Sequence, residues 1–207
     1  MRQVFSIALL SFFGVTHVSA ATIQIVCDND FAVFAGNNSS ISRLVYQNNV
    51  GWGDQAADAL SFDFNLQNGE TDFYLLAMDA PIGYWSNGAI YGSFNGVNIL
   101  DLAVVQQSSD LSSYLSGYSS SVSAITDGSF SVTLTEVQGA LGNLTWSTPS
   151  PSDFYGTPSF SLGFSQANLF KFSAGSVGVT QVPEPSTYGL GLAGLVLAFT
   201  AIRRRKK

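Results

Sequence analysis

The pattern of apolar and polar positions divides this chain into three stretches. From Val4 to Val15 the side chains are almost continuously apolar, broken only by Ser6 and Ser11. From about residue 22 to 172 short alternating runs take over, and from Tyr188 to Ile202 no charged residue appears. The alternation is plainest in Leu60-Ser61-Phe62-Asp63-Phe64-Asn65-Leu66, where every even position is apolar. Phe130, Val132 and Leu134 alternate with Ser129, Ser131, Thr133 and Thr135, and Phe160, Leu162 and Phe164 with Ser159, Ser161, Gly163 and Ser165. A period of two places one face of a strand on a core and the other in water, as in an antiparallel sheet. Gly36-Asn37-Asn38, Gln67-Asn68-Gly69, Asn95-Gly96, Asp127-Gly128 and Gly142-Asn143 supply turns between the runs, because Asn-Gly and Asp-Gly tolerate positive φ. The pattern predicts strands over 22–28, 31–35, 43–47, 60–66, 72–78, 89–94, 97–104, 121–125, 129–137, 143–147, 160–165 and 169–172. The segment from Leu102 to Tyr118 is ambiguous and has room for a short helix. The expected fold class is all-β, an antiparallel β-sandwich or jelly-roll ectodomain, followed by a single short C-terminal transmembrane helix.

Charge sharpens the picture of this middle segment. Between Ala21 and Gln181 the only cations are Arg43 and Lys171, set against thirteen acids, so the segment carries −11 while the whole chain carries −6. Such a surface repels phosphates, and nucleic acid is excluded as a partner. The one histidine, His17, lies just after the first apolar run and ahead of the middle segment, and the one cysteine is Cys27. An intrachain disulfide is therefore impossible. A body without histidine cannot build a Ser–His–Asp triad, a His-ligated zinc site or a Cys–His pair. No enzymatic activity and no cofactor are predicted. Cys27 is expected to be a buried small hydrophobe, not a reactive thiol.

Several constellations of polar and aromatic residues stand out against that background. Asp28-Asn29-Asp30 offers oxygens to Ca²⁺ but lacks the alternating ligand spacing of a calcium loop, so a turn is expected and no metal site is predicted. Asp54 and Asp58, near Trp52, are four apart and would share a helical face, which leaves a carboxylate-dependent carbohydrate-active enzyme as the alternative function. Ala56-Ala57 between them points to an ordinary helical turn. Tyr84-Trp85, Tyr91, Trp52 and Tyr74 include aromatics flanked by Gly and Asn; rings meet sugar C–H groups while amides bond hydroxyls. Core filling is the preferred reading of this set, with Trp52, Tyr84, Trp85 and Tyr91 as the candidate glycan contacts. Ser108–Ser123 and Thr145–Ser161 read as solvated connections, with O-linked glycan acceptors as the sharper alternative.

The two ends speak to destination. Arg2, the apolar run and Val18-Ser19-Ala20 have the layout of a signal peptide, residues 1–20, cut by signal peptidase after Ala20. Residues 21–181 form the β-rich extracytoplasmic domain. Pro183 and Pro185 stiffen a stalk over 182–187. Residues 188–202 give a helix of about 22 Å against a hydrocarbon layer of about 30 Å. The basic tail 203–207, Arg203, Arg204, Arg205, Lys206 and Lys207, stays in the cytoplasm and leaves the body outside. An ordinary single-span tail anchor would share these features. The Pro-Glu-Pro triplet, short apolar helix and terminal basic cluster, in that order over 182–207, resemble the PEP-CTERM sorting signal of Gram-negative bacteria. The resemblance implies recognition of Pro183, Glu184 and Pro185 by exosortase, a membrane-embedded cysteine transpeptidase. It also implies transient anchoring in the inner membrane, then release to the cell surface or matrix, and an association with exopolysaccharide and biofilm formation. The expected function is a non-enzymatic adhesive or matrix-structural protein, with a self-assembling coat subunit as a further alternative.

Overall fold

Short apolar runs separated by tight turns leave most backbone groups without a local partner, and pairing between strands satisfies them. In the computed structural model the described residues are 21–81, 88–102, 105–149, 151–154, 157–164 and 166–179, with the backbone alone over 151–154 and 157–161. In chain order the elements are β1 (Ala21–Cys27), β2 (Asp30–Asn37), β3 (Ser40–Gln47), α1 (Trp52–Ala57), β4 (Leu60–Phe64), β5 (Asp72–Met78) and β6 (Gly88–Phe94). They continue with β7 (Val97–Asn98), β8 (Gln106–Ser108), α2 (Val122–Thr126), α3 (Leu134–Leu141), β9 (Trp146–Ser147), β10 (Pro151–Phe154), β11 (Thr157–Phe164) and β12 (Ala167–Ser173). All strand pairings are antiparallel. One sheet runs β10-β11-β6-β1-β4 with β7 on β6; the other runs β3-β2-β5-β12-β8-β9. The protein is mostly β, built on two antiparallel sheets, as the alternation predicts.

The facing sides of the two sheets share one apolar layer. Ile23 and Ile25 of β1, Ile90 and Phe94 of β6 and Phe164 of β11 meet Phe31 and Val33 of β2, Phe73 and Leu75 of β5, and Phe170 and Phe172 of β12. At its centre Phe73 lies 5.1 Å from Phe172 and 4.7 Å from Phe94, centroid to centroid. One open side is closed by Tyr46 of β3 stacked on Phe62 of β4 at 4.0 Å. Beside it Arg43 Nε donates to Glu70 Oε1 at 2.9 Å and its guanidinium also reaches the Asn65 carbonyl. Glu70 is almost fully buried; burial raises its pKa, but the Arg43 guanidinium, the Gln67 amide and the Ser42 hydroxyl outweigh that and hold it below the usual range.

The second sheet is covered on its other face too. Ala32 and Phe34 of β2, Tyr74, Leu76 and Met78 of β5, and Ala167 and Leu169 of β12 pack under Leu111, Leu115, Tyr118, Ile125, Phe130, Val132, Val137 and Ala140. The segment 111–141 is thus a cap and not a solvated connection. Three expectations are corrected by it. The strand expected over 121–125 is replaced by α2, which starts at Val122 behind Ser121. Over 129–133 the chain buries Phe130 and Val132 without pairing as a strand, and 134–141 is α3. The Ser-rich stretch 108–123 buries Leu111, Leu115 and Tyr118. Alternation alone could not separate an extended lid from a ladder strand. The capping box could have: Glu136 N donates to Thr133 Oγ1, and Thr133 N donates to Glu136 Oε2 at 2.8 Å. The strand expected over 97–104 ends at Asn98, whose side chain accepts from Leu100 N at 2.9 Å and starts a 3-10 turn at Ile99–Asp101. Residues 103 and 104 lie outside the described residues, as do 1–20 and 180–207. Among the described residues no helix is long and apolar enough to cross a membrane.

Candidate functional site

Strand direction gives the body two poles, about 24 Å apart along seven-residue strands. One pole collects the β1–β2 turn, residues 48–50, residues 79–81 and the β11–β12 turn, as the pairings Asp30 with Met78, Ala167 with Met78 and Phe164 with Gly88 require. This pole holds a buried polar node. Gln55, from α1, accepts from Cys27 N at 3.2 Å and donates to the carbonyls of Asn29 and Val50 at 2.8 and 2.9 Å. Asn48 donates to Asp30 Oδ1 at 2.8 Å and to the Val50 carbonyl. Asn29 donates to Asp28 Oδ1 at 2.6 Å and accepts from Ala80 N. Asp30 Oδ1 also accepts from Phe31 N, while no donor reaches the buried Oδ2 with hydrogen-bond geometry.

Burial sets the protonation of this node. It pushes Asp30 up to about 7, against the Asn48 side chain and the amides of Phe31 and Phe130. Asp79 is raised to about 7 by burial, opposed by the Ala80 and Gly88 amides and helped by nearby Asp28. Asp28 is raised to about 6 by burial, partly offset by Asn29. Perturbed carboxyls of this kind are where catalysis is usually sought. Asp30 is fully buried and Asp79 is 5 % exposed, while Asp28 is only partly buried. No group of ligating side chains among the described residues could hold a metal ion. Cys27 is fully buried, its thiol donating to the Asp30 carbonyl at 3.1 Å, and burial drives its pKa up.

Above the node lies a cleft of about 340 Å³. Pro81, Leu115 and Tyr118 give it an apolar floor; Ser113, Ser119 and Gln166 give it a polar rim. Tyr118 donates its hydroxyl to the Asp79 carbonyl, so cap and node are tied together here. Gln166 sits at φ 58°, a left-handed conformation uncommon for a residue with a side chain. This cleft escaped the sequence reading, because its lining comes from three separated segments without a shared motif.

The aromatic candidates scatter. Tyr74 is fully buried under the cap and donates its hydroxyl to the Asn37 carbonyl at 2.6 Å. Trp52 is half-buried at the start of α1, and Tyr91 is 36 % exposed on the outer side of β6. Tyr84 and Trp85 lie outside the described residues. Asp54 and Asp58 do not share a helical face, because Asp58 leaves α1 in an extended conformation.

The opposite pole carries both ends of the body. In the Asn95-Gly96 turn both residues have positive φ, 50° and 77°, as an Asn-Gly hairpin requires. Asn95 Oδ1 accepts from Thr22 N at 2.9 Å, its own N–H donates to the Thr22 carbonyl, and Nδ2 donates to the Val177 carbonyl at 2.7 Å. One side chain thus fastens the first strand to the last described turn. Val179 is buried, leaving Thr180, Gln181 and Val182 before Pro183. Residues 181–206 match the PEP-CTERM protein-sorting motif, which takes in Pro183, Glu184, Pro185 and the basic cluster up to Lys206. The motif marks an exported, envelope-directed protein processed by exosortase. No curated protein and no solved structure matches the chain.

Proposed function

We propose that this chain, which carries a PEP-CTERM protein-sorting signal, is a non-enzymatic adhesive or matrix-structural protein of the cell envelope. Residues 1–20 direct export and are removed by signal peptidase. Residues 21–181 form a β-sandwich ectodomain, and 188–202 span the inner membrane until exosortase removes them. The observation that carries the reading is the motif match at 181–206, directly behind a body whose last turn is packed at one pole. Eight residues, Thr180 to Thr187, reach at most about 29 Å when extended, so that pole stays close to the membrane before release. The node and the cleft then face outward. A binding role is favoured over carboxylate catalysis because Asp30 and Asp79 are buried and the outward cleft is lined by none of the raised acids. Exopolysaccharide is the proposed partner of the body.

Replacing Pro183 and Glu184 together by Ala tests the sorting part. The doubly substituted protein is expected to remain uncleaved in the membrane fraction, and release equal to the unaltered protein would refute exosortase processing. Retention of the purified protein on the host's own exopolysaccharide, with and without Ca²⁺, tests the adhesive part.

A further inference from the structure

We infer that the cleft formed by Pro81, Ser113, Leu115, Tyr118, Ser119 and Gln166 binds a segment of an uncharged, hydroxyl-rich glycan chain. The inference rests on the adhesive reading above and assigns it a place. The volume, about 340 Å³, is at the small end of the range for ligand sites, about 300–1,000 Å³, which suits part of a polymer held by its side. Ser113 and Ser119 present exposed hydroxyls and Gln166 an amide, groups that both donate and accept as sugar hydroxyls do. Pro81, Leu115 and the Tyr118 ring offer apolar surface to sugar C–H faces. Among the described residues no charged side chain lines the cleft. The −11 body works against anionic chains. Among the described residues the lining offers amines and metal ions no carboxylate. Ser112, at the edge, is already committed, its hydroxyl donating to Asp110 Oδ2 at 2.8 Å. Gln166 keeps its left-handed backbone at a turn position that Gly would occupy without strain. That choice gives up some stability to place an amide at the rim, as happens at binding sites.

The test titrates the full-length protein in detergent with cellohexaose, maltohexaose and mannohexaose, and with an oligogalacturonate as the acidic comparator, by calorimetry. Binding of at least one neutral chain with a Kd below about 5 mM is expected, with weaker or no binding of the acid. Gln166→Gly relieves the backbone and removes the amide, so folding is preserved while affinity falls roughly tenfold. Ser113→Trp fills the rim from an exposed position and is expected to abolish binding, whereas Gln24→Ala on the other sheet leaves the Kd unchanged. If neutral chains bind and neither cleft variant changes the Kd, the cleft assignment is overturned and the adhesive reading stands. Preference for the oligogalacturonate, or no binding of any neutral chain, overturns the assignment as well. Failure of the exopolysaccharide retention assay in addition would remove the adhesive reading itself.

Discussion

The two sheets are built from the same residue types, yet only one is written in alternation. In β1 the inward Ile23 and Ile25 are fully buried while Thr22 and Gln24, which alternate with them, are exposed. In β2 and β5, by contrast, Phe31 to Ala35 and Phe73 to Met78 are all fully buried. The first sheet has water on its outer face over this region; the second has a lid of helices and turns. A strand with one wet face needs polar residues at every second position, and a strand covered twice cannot afford them. Loss of alternation therefore announces a third layer, and that layer must come from elsewhere in the chain.

The sharpest way to break this contrast is to truncate outward-facing side chains in matched sheets. Leu76, on the capped face of β5, is fully buried. Leu76→Ala is expected to cost about 2–5 kcal/mol in urea unfolding. Gln24→Ala, on the wet face of β1, should stay within about 0.5 kcal/mol. Similar costs for the two would mean that the lid does not bury the second sheet.

Acidity probes the pole at which buried strand ends carry polar groups. Asp30 and Asp79, raised to about 7, and Asp28, raised to about 6, hold protons more tightly folded than unfolded, where such carboxyls titrate near 3.8. Folded protein then binds more protons between about pH 4 and 7, so stability is greatest at the acid side of that window and falls as pH rises through it. Glu70 and Glu136 have the opposite sign: each is held below 4.5, and the stability they contribute is lost on further acidification. Thermal unfolding should therefore show greater stability at pH 5 than at pH 7.5, by about 2–4 kcal/mol, with Asp30→Asn flattening the slope. A stability that rises steadily from pH 5 to 7.5 would contradict a sealed node.

Legibility followed water. The hairpin at Asn95-Gly96, the strand at 72–78 and the alternation at Leu60–Phe64 were readable because local chemistry and tertiary environment agree there. The cap was misread because Phe130 and Val132 alternate toward the sheet like strand residues while their backbone pairs with no strand. The polar node was read as a turn at Asp28-Asn29-Asp30, which it is, but its partners Asn48, Gln55 and Ala80 come from loops and a helix no spacing connects. The sorting signal was legible because its parts are contiguous in sequence.

At the pole where both ends meet, Asn95→Gly keeps the left-handed turn and deletes only the side-chain bonds to Thr22 and Val177. Two lost bonds should cost about 1–3 kcal/mol. The larger expected effect is local: residues 174–179 should exchange amide hydrogens faster, with the capped face unaffected. Exchange that quickens equally in β5 would show that the ends are not a separate unit of stability.

The smallest effect tests the lid by itself. Thr133 starts α3 by bonding the Glu136 amide, while Glu136 also accepts from the Ser116 amide at 2.8 Å. The capping pair therefore joins α3 to the Ser-rich turns that complete the cap. Thr133→Ala removes one half of the box and should cost about 1 kcal/mol. Because Val137 and Ala140 are held against β2, β3 and β5 by the same helix, the loss should appear as faster exchange across 111–141 before it appears in β1 or β6. If the wet sheet loosens as early as the lid does, the cap is no separable layer, and the continuous burial of β2 and β5 would have to be ascribed to the shared core alone.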